Sequence, residues 1–538
     1  MTPHPDRTVL RGGIVIDGTG GPRHAADVEI TGGRIAAVGD VATLPGDHVI
    51  DCRGRFVMPG FIDAHAHVDG RVFDAGVQLA LLRQGITTVI GGQDGVSYAP
   101  GDGVWASRYF AAINGPHPTY AGGGVAELLA SYDEATPLNV GFLVPAGTVR
   151  HHVMGMRTGR ADAVQLAEMQ RLVAEGLEAG ALGLSTGLDY VPGIFADREE
   201  LTALCAPLSE AGGLYVTHMR GGYETNTAAG LHEVVAICTG GDVHPGVRGH
   251  VSHLHVDAAD ADRLLAEAAA SGADLSFDMY PYTRGCTLVS MAVLPPEYSA
   301  LDVDTAVTRL SDPAERARLR DTWFPGVADK PSLGPEWPAM IRIGHTPAAD
   351  WAWAPGLTLA EIADERGTDV VDATLDLLVA GRLEVNAVMA VRDERPVENL
   401  ARLFAHDAHT GGSDGIFVGA VPHPRAAGSF ARFLGTYVGR SFEWEGAAVH
   451  LASRTAERFG LADRGAVVPG AAADLAIVDP VTAVDTATYD DPRALARGID
   501  DVFVNGTQVL RDGALTGALA GRGLRRPPAS TTSTKGTP

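Results

Sequence analysis

The sequence predicts an α/β fold: a (β/α)8 TIM barrel, a small β-sandwich domain formed from both chain ends, and a large insertion between barrel strands 7 and 8. Three observations carry this expectation. Eight short apolar runs alternate with helical segments through the middle of the chain. Glycine-punctuated, β-rich runs of one kind stand at both ends. Polar, ligand-type residues recur where the central runs finish. Strand and helix alternating in this way is the pattern of a closed parallel barrel, with an open doubly wound sheet as the architecture that periodicity alone leaves standing.

Residues 1–57 read as the first part of the sandwich: Thr8-Val9-Leu10, Ile14-Val15-Ile16, Val28-Glu29-Ile30, Arg34–Val38 and Val49-Ile50-Asp51 alternate with Gly12-Gly13 and Gly18-Thr19-Gly20, a pattern of short antiparallel strands. The barrel is expected over 58–459. Its runs are Phe61–His67, Ile86–Gly92, Val140–Gly147, Leu182–Thr186, Leu214–Met219, Gly249–His255, Leu275–Pro281 and His409–Asp414. Within Ala161–Gly180, Val164, Met169, Leu172, Val173 and Leu177 fall near helical spacing and predict a connecting helix. Two connections, 93–139 and 282–408, are too long to be bare loops and should hold helices or a lid, with the insertion placed at about 283–345. Residues 460–524, with Ala473–Val478 and Val502–Leu510, complete the sandwich, and the Pro/Ser/Thr-rich 525–538 reads as a disordered tail.

Composition narrows the class. Of 538 residues, 45% are hydrophobic and 20% charged, which fits a soluble globular protein and excludes a disordered chain. A formal net charge of −24 argues against a nucleic-acid or anionic-membrane partner, since no basic stripe is present to meet phosphates. Four cysteines cannot make a disulfide framework. The opening Met-Thr-Pro-His-Pro is no signal peptide, and no run of about 20 apolar residues spans a bilayer. A soluble, cytoplasmic protein is expected, with its oligomeric state open.

The chemistry gathers at run ends. His65-Ala66-His67 closes the first run, and in a strand residues i and i+2 share a face, so both imidazoles can point into the barrel mouth. His218 ends run five, His253 and His255 end run six, and Asp414 ends run eight. One such histidine is plausibly a hydrogen-bonded strand end; five in register with a carboxylate suit a divalent transition ion with an open position for water.

These residues resemble a known family. Pro59-Gly60-Phe61-Ile62-Asp63-Ala64-His65-Ala66-His67 looks like the strand-one signature of the amidohydrolase superfamily. More narrowly, the chain is similar to D-aminoacylases (N-acyl-D-amino-acid deacylases) through Gly183–Tyr190, Thr217–Arg220, Ser252-His253, Asp278–Tyr282, Gly412–Gly415, Pro422–Arg425 and Pro469–Leu475, in order over roughly residues 5–520. The resemblance implies hydrolysis of an N-acyl amide by a metal-activated water. It implies His65 and His67 at one metal subsite and His218 and His253 at the other, with zinc as the ion. Asp414 is implied as general base and acid, and Tyr190 and Arg425 as contacts to the substrate carboxylate. Tyr280 or Tyr282 is a candidate donor to the amide carbonyl, with packing of the lid as the alternative for either.

Two positions depart from the family pattern. Where the family carries Gly-Asn-Cys-Gly, this chain has Gly92-Gln93-Asp94-Gly95, which puts Asp94 at a thiolate ligand's place. Carboxylate is harder than thiolate, so one or two Zn2+ are expected with Mn2+ or Fe2+ also accepted, unless Asp94 does not coordinate. Where the family has Ser-His-His-Lys, this chain has Ser252-His253-Leu254-His255, so His255 stands at a carboxylate-binding lysine. Arg284, in the insertion, is a candidate for meeting an acidic side chain, with an exposed lid arginine as the plainer reading. His151, His152, His345 and His423 are read as surface or lid residues. The expected activity is cleavage of N-acyl-D-amino acids. The alternatives are another amide (cyclic imide, dipeptide or natural-product N-acyl group) and a catalytically degenerate metal-binding protein.

Overall fold

The computed structural model describes residues 7–222 and 226–527. Eight parallel strands follow the predicted runs: Phe61–Asp63, Ile86–Gly91, Asn139–Pro145, Gly183–Gly187, Leu214–His218, Arg248–Val251, Leu275–Met279 and His409–Gly411. Each pairs in parallel with the next in chain order. The ring closes where the Ala64 N–H donates to Gly411 O at 3.0 Å and the short strands Ala66–His67 and Gly415–Ile416 pair in parallel. The fold is therefore a closed barrel, and the open sheet is excluded.

Strands two to five are buried along their whole length, and the sixth and seventh are buried past their first residue, as both-face burial in a helix-wrapped barrel requires. Helix Ala163–Glu178 is the predicted connector. Asp162 caps it by accepting from the amides of Val164 and Gln165, and Met169, Leu172, Val173 and Leu177 face the core. Val164, counted in its apolar stripe, is instead 79% exposed, because it lies in the first turn on the outer side.

Both chain ends contribute to one nine-stranded mixed sheet. Its pairings are not all antiparallel as expected: Arg7–Val15 runs parallel to His48–Asp51 and to Phe56–Pro59, and Phe56–Pro59 joins the C-terminal strand Leu475–Val478. Leu10, Val15, Val28, Val57, Leu475 and Phe503 close its core.

Between the last two barrel strands the chain builds a unit of its own. Strands Gly285–Leu288, Ile341–His345 and Asn386–Met389 form an antiparallel sheet, so this unit runs well past residue 345. Short helices pack on it around Tyr298, Leu310, Leu319, Trp337 and Leu378. The tail reading over 525–538 falls mostly outside the described residues; within them, Arg525 pairs with Asp133 at 2.9 Å and the Arg526 amide donates to Gly180 O at 2.9 Å. No helix among the described residues is long and apolar enough to cross a membrane.

Candidate metal centre and active site

The C-terminal strand ends bring six of the predicted residues to one point. His65 Nε2 lies 3.7 Å from Asp94 Oδ1 and 3.8 Å from Asp414 Oδ1. His67 Nε2 lies 3.5 Å from Asp94 Oδ2 and 3.3 Å from Asp414 Oδ1. On the other side, His218 Nδ1 is 3.8 Å from Asp94 Oδ2 and 3.1 Å from His253 Nε2. Both oxygens of Asp94 are thus in use, one toward His65 and the other toward His67 and His218.

Backbone conformation aims these groups. Asp94, His253 and Asp414 all adopt left-handed φ, of 54°, 33° and 47°. Such strain in residues with a Cβ persists where surrounding contacts over-determine it, and it clusters at functional sites. The contacts are present. Asp69 accepts from the Gly92 amide at 2.7 Å and from Ser97 Oγ at 2.8 Å, holding the turn that bears Asp94. Gly187 must be glycine, since a Cβ there would meet Asp94 O at 2.1 Å. Asp63 accepts from the Ser413 amide at 2.8 Å and the His65 amide at 3.2 Å, joining the ends of the first and last strands.

Two further carboxylates orient the histidines. Asp278 Oδ2 lies 3.4 Å from His65 Nδ1 and 3.0 Å from His250 Nε2, and Asp189 Oδ2 lies 3.1 Å from His218 Nε2. A carboxylate behind a ligating imidazole fixes its tautomer and raises its basicity. Both aspartates lie inside the family-like segments Gly183–Tyr190 and Asp278–Tyr282, and the sequence signal for Asp278 is that of another strand-end carboxylate in register with the histidines.

The electrostatics favour a cation. Burial alone would lower the His67 pKa, but Asp414 and Asp94 raise it to about 10. Burial would raise the Asp94 carboxyl, yet His67, His65 and His218 hold it below the usual range. Burial also opposes ionisation of Asp414, but Arg425, His67, His253 and His65 together hold its carboxyl well below the usual range. His65 Nε2 and Asp94 Oδ1, which face each other in the cluster, are buried without a hydrogen-bond partner. Fully buried polar atoms are normally satisfied, so these donors fit a divalent ion. His65, His67 and Asp414 offer ligand atoms within 4.8 Å of one another, as do His65, Asp94 and His253.

Above this cluster opens a cavity of about 520 Å³, lined in part by Tyr190, His255, Tyr280, Cys286, Asp414 and Arg425. Arg425 is fully buried, with Nη2 at 2.8 Å from Asp414 Oδ2, while its Nε and Nη1 have no partner. His423 is buried rather than on the surface; its Nδ1 accepts from the Arg425 amide at 3.0 Å.

His255 does not replace a charged lysine. Arg395 Nη2 lies 2.7 Å from His255 Nδ1, and His255 Nε2 lies 2.5 Å from Tyr280 Oη. A guanidinium only donates, so Nδ1 accepts, Nε2 carries the proton, and Tyr280 oxygen receives it. The Tyr280 hydrogen is left for another acceptor. Burial and then Arg395 depress the His255 pKa, keeping the ring neutral. Tyr282 turns away from the cavity: its hydroxyl faces Asp485 and its ring lies under Arg432. Arg284 also lies outside, paired with Glu394 at 3.2 Å and stacked on Tyr489.

A family model described as amidohydrolase family matches residues 48–510. The N-acyl-D-glutamate deacylase of Alcaligenes xylosoxydans xylosoxydans is 34% identical over 524 residues, covering 96% of this chain and 96% of that protein. Among solved structures, the N-acyl-D-glutamate deacylase of Bordetella bronchiseptica, complexed with zinc and a phosphonate mimic of the tetrahedral intermediate, is similar with a TM-score of 0.80 at 31% identity, covering 97% of this chain and 100% of that one. A D-aminoacylase solved to study its binuclear metal centre is similar with a TM-score of 0.77 at 31% identity, over 97% of this chain and 100% of that one.

Proposed function

Because this chain belongs to the amidohydrolase family, we propose that it is a metal-dependent hydrolase that cleaves the amide bond of N-acyl-D-amino acids, acting in the cytoplasm on small-molecule substrates. The observation that carries the reading is the convergence of His65, His67, Asp94, His218, His253 and Asp414 at the floor of the cavity, with buried nitrogen and oxygen atoms that lack a protein partner. The kinship with N-acyl-D-amino-acid deacylases supports the substrate class.

His65 and His67 would hold one ion and His218 and His253 a second, with Asp94 shared between them. A donor set of imidazole and carboxylate without thiolate accepts manganese or iron besides zinc. A bound divalent ion supplies Lewis acidity at the reacting centre. Asp414 Oδ1, on the histidine side, takes a proton from the attacking water and returns it to the leaving nitrogen, the work of a positioned carboxylate. Its other oxygen stays fixed on Arg425.

Arg425 uses its two uncommitted donors, with Tyr190, to hold the substrate carboxylate; a guanidinium orients a carboxylate by paired hydrogen bonds. Tyr280, whose oxygen accepts from His255 Nε2 and whose own hydrogen is thereby left to point elsewhere, donates that hydrogen to the amide carbonyl as negative charge develops on that oxygen. The test is metal stoichiometry combined with a chiral panel of N-acyl amino acids. Release of D-amino acids and not L-isomers is expected; no turnover of any D-isomer by metal-loaded enzyme would sink the assignment.

A further inference from the structure

The chain carries 42 lysines and arginines together, yet only Lys330 and Lys535 are lysine. Lys535 lies outside the described residues. The one lysine among the described residues lines the cavity above the candidate metal centre. It arrives from the inserted unit, between the helices Phe324–Ala328 and Trp337–Met340. The wall around it is apolar, with Ala292, Leu294, Trp323 and Leu333.

Lys330 is half-buried, and its Nζ donates to Ala292 O at 2.8 Å. An ammonium has three donors, and among the described residues no carboxylate lies within ion-pairing distance of it. Arginines elsewhere in the insertion are paired: Arg316 with Asp376, Arg320 with Asp372. A half-buried ammonium on an apolar wall without a counter-ion is unfavourable unless a ligand brings one. Burial lowers its pKa and Asp189 pulls it back up. Lys330 and Arg425 line the same cavity from separate elements: Lys330 from the inserted unit, Arg425 buried beside Asp414 after strand eight. Standing on different walls of one cavity, the two cations address different groups of a bound molecule.

We propose that Lys330 is a specificity-determining residue that reads a second carboxylate on the substrate, beyond the one held at Arg425, so that the enzyme selects dianionic N-acyl-D-amino acids. This rests on the deacylase reading above. The second carboxylate resides on the amino-acid side chain or on the acyl group. Both place an anion against Lys330, and the assay separates them.

The experiment compares wild-type, Lys330→Met and Lys330→Arg enzymes, metal-loaded, on N-acetyl-D-glutamate against its neutral isostere N-acetyl-D-glutamine, and on N-succinyl-D-leucine against N-butyryl-D-leucine. Binding of the same compounds is measured by calorimetry in an Asp414→Asn background. Lys330→Met should lower kcat/KM at least ~30-fold on one dianion, chiefly through KM, and less than about 3-fold on its neutral counterpart, with Lys330→Arg recovering most of the loss. The pair that responds identifies the carboxylate's source. Equal losses on dianion and isostere, or no loss on either dianion, overturn the proposal. Should no N-acyl-D-amino acid turn over while Lys330 still sets the gap in Kd between dianion and isostere, the deacylase reading falls and the role of Lys330 stands.

Discussion

Asp414 and Arg425 form a 2.8 Å ion pair whose side chains are 8% and 0% exposed. One carboxylate oxygen is thereby fixed on the guanidinium, and the other faces His67 at 3.3 Å. In a buried setting such a pair is rigid, and removing one partner strands the other charge. The pairing gives Arg425 two duties, toward Asp414 and toward a substrate carboxylate.

Asp414→Asn keeps the shape but removes the proton acceptor. We expect kcat to drop at least ~100-fold, in line with loss of a general base, with bound metal retained on the remaining ligands. Steady-state kinetics with elemental analysis checks this, and near-wild-type kcat would refute the role.

Arg425→Ala should raise KM for carboxylate-bearing substrates and also lower kcat, because Asp414 loses its counter-ion. An uncharged amide should suffer only the kcat loss. Equal KM changes on charged and uncharged amides would count against the clamp.

Asp94→Ala should lower metal content, since both Asp94 oxygens face histidine nitrogens. Asp94→Cys should instead shift preference toward zinc over manganese, thiolate being the softer ligand. Competition dialysis followed by elemental analysis reads both variants; unchanged stoichiometry and selectivity would show that Asp94 is no ligand.

Asp189→Asn leaves a hydrogen bond to His218 but removes the charge behind it. Metal affinity should weaken about 10- to 100-fold, the usual cost of losing such a partner. Titration with a chelator measures it, and an unchanged affinity would limit Asp189 to its contact with the Gly221 amide, 2.7 Å away.

Acid should destabilise the fold through buried neutral histidines. His409 Nδ1 lies 3.2 Å from His450 Nδ1, and burial lowers the His409 pKa to about 3. The unfolded chain binds this proton near the ordinary histidine value of about 6.5. Between those values the unfolded state holds more protons, so stability falls as pH drops below about 6.5 and goes on falling toward 3, at up to about 1.4 kcal/mol per pH unit for each such group. Urea unfolding from pH 7 to 5 should show the slope, and His409→Gln should flatten it; an identical slope in the variant would contradict the assignment.

The sequence by itself determined the barrel, the wrapping sheet and the candidate ligands. Strand ends such as His65-Ala66-His67 declare themselves because a period of two is a local property, and recurrence of His218, His253 and Asp414 at the ends of strands five, six and eight supplies the rest. Only the tertiary structure decided which groups stand behind them. Asp278 meets His65, and Asp189 meets His218, through pairings of separate strand ends that no local period encodes. Tyr280 and Tyr282 are alternatives in sequence and opposites in space, one lining the cavity and one turned to Asp485. Lys330 reaches the cavity because the insertion folds on its own core and sets that loop over the barrel mouth. Long-range packing fixes such placements, since apolar burial is non-directional and leaves no periodic trace of which side chain it brings to a distant site.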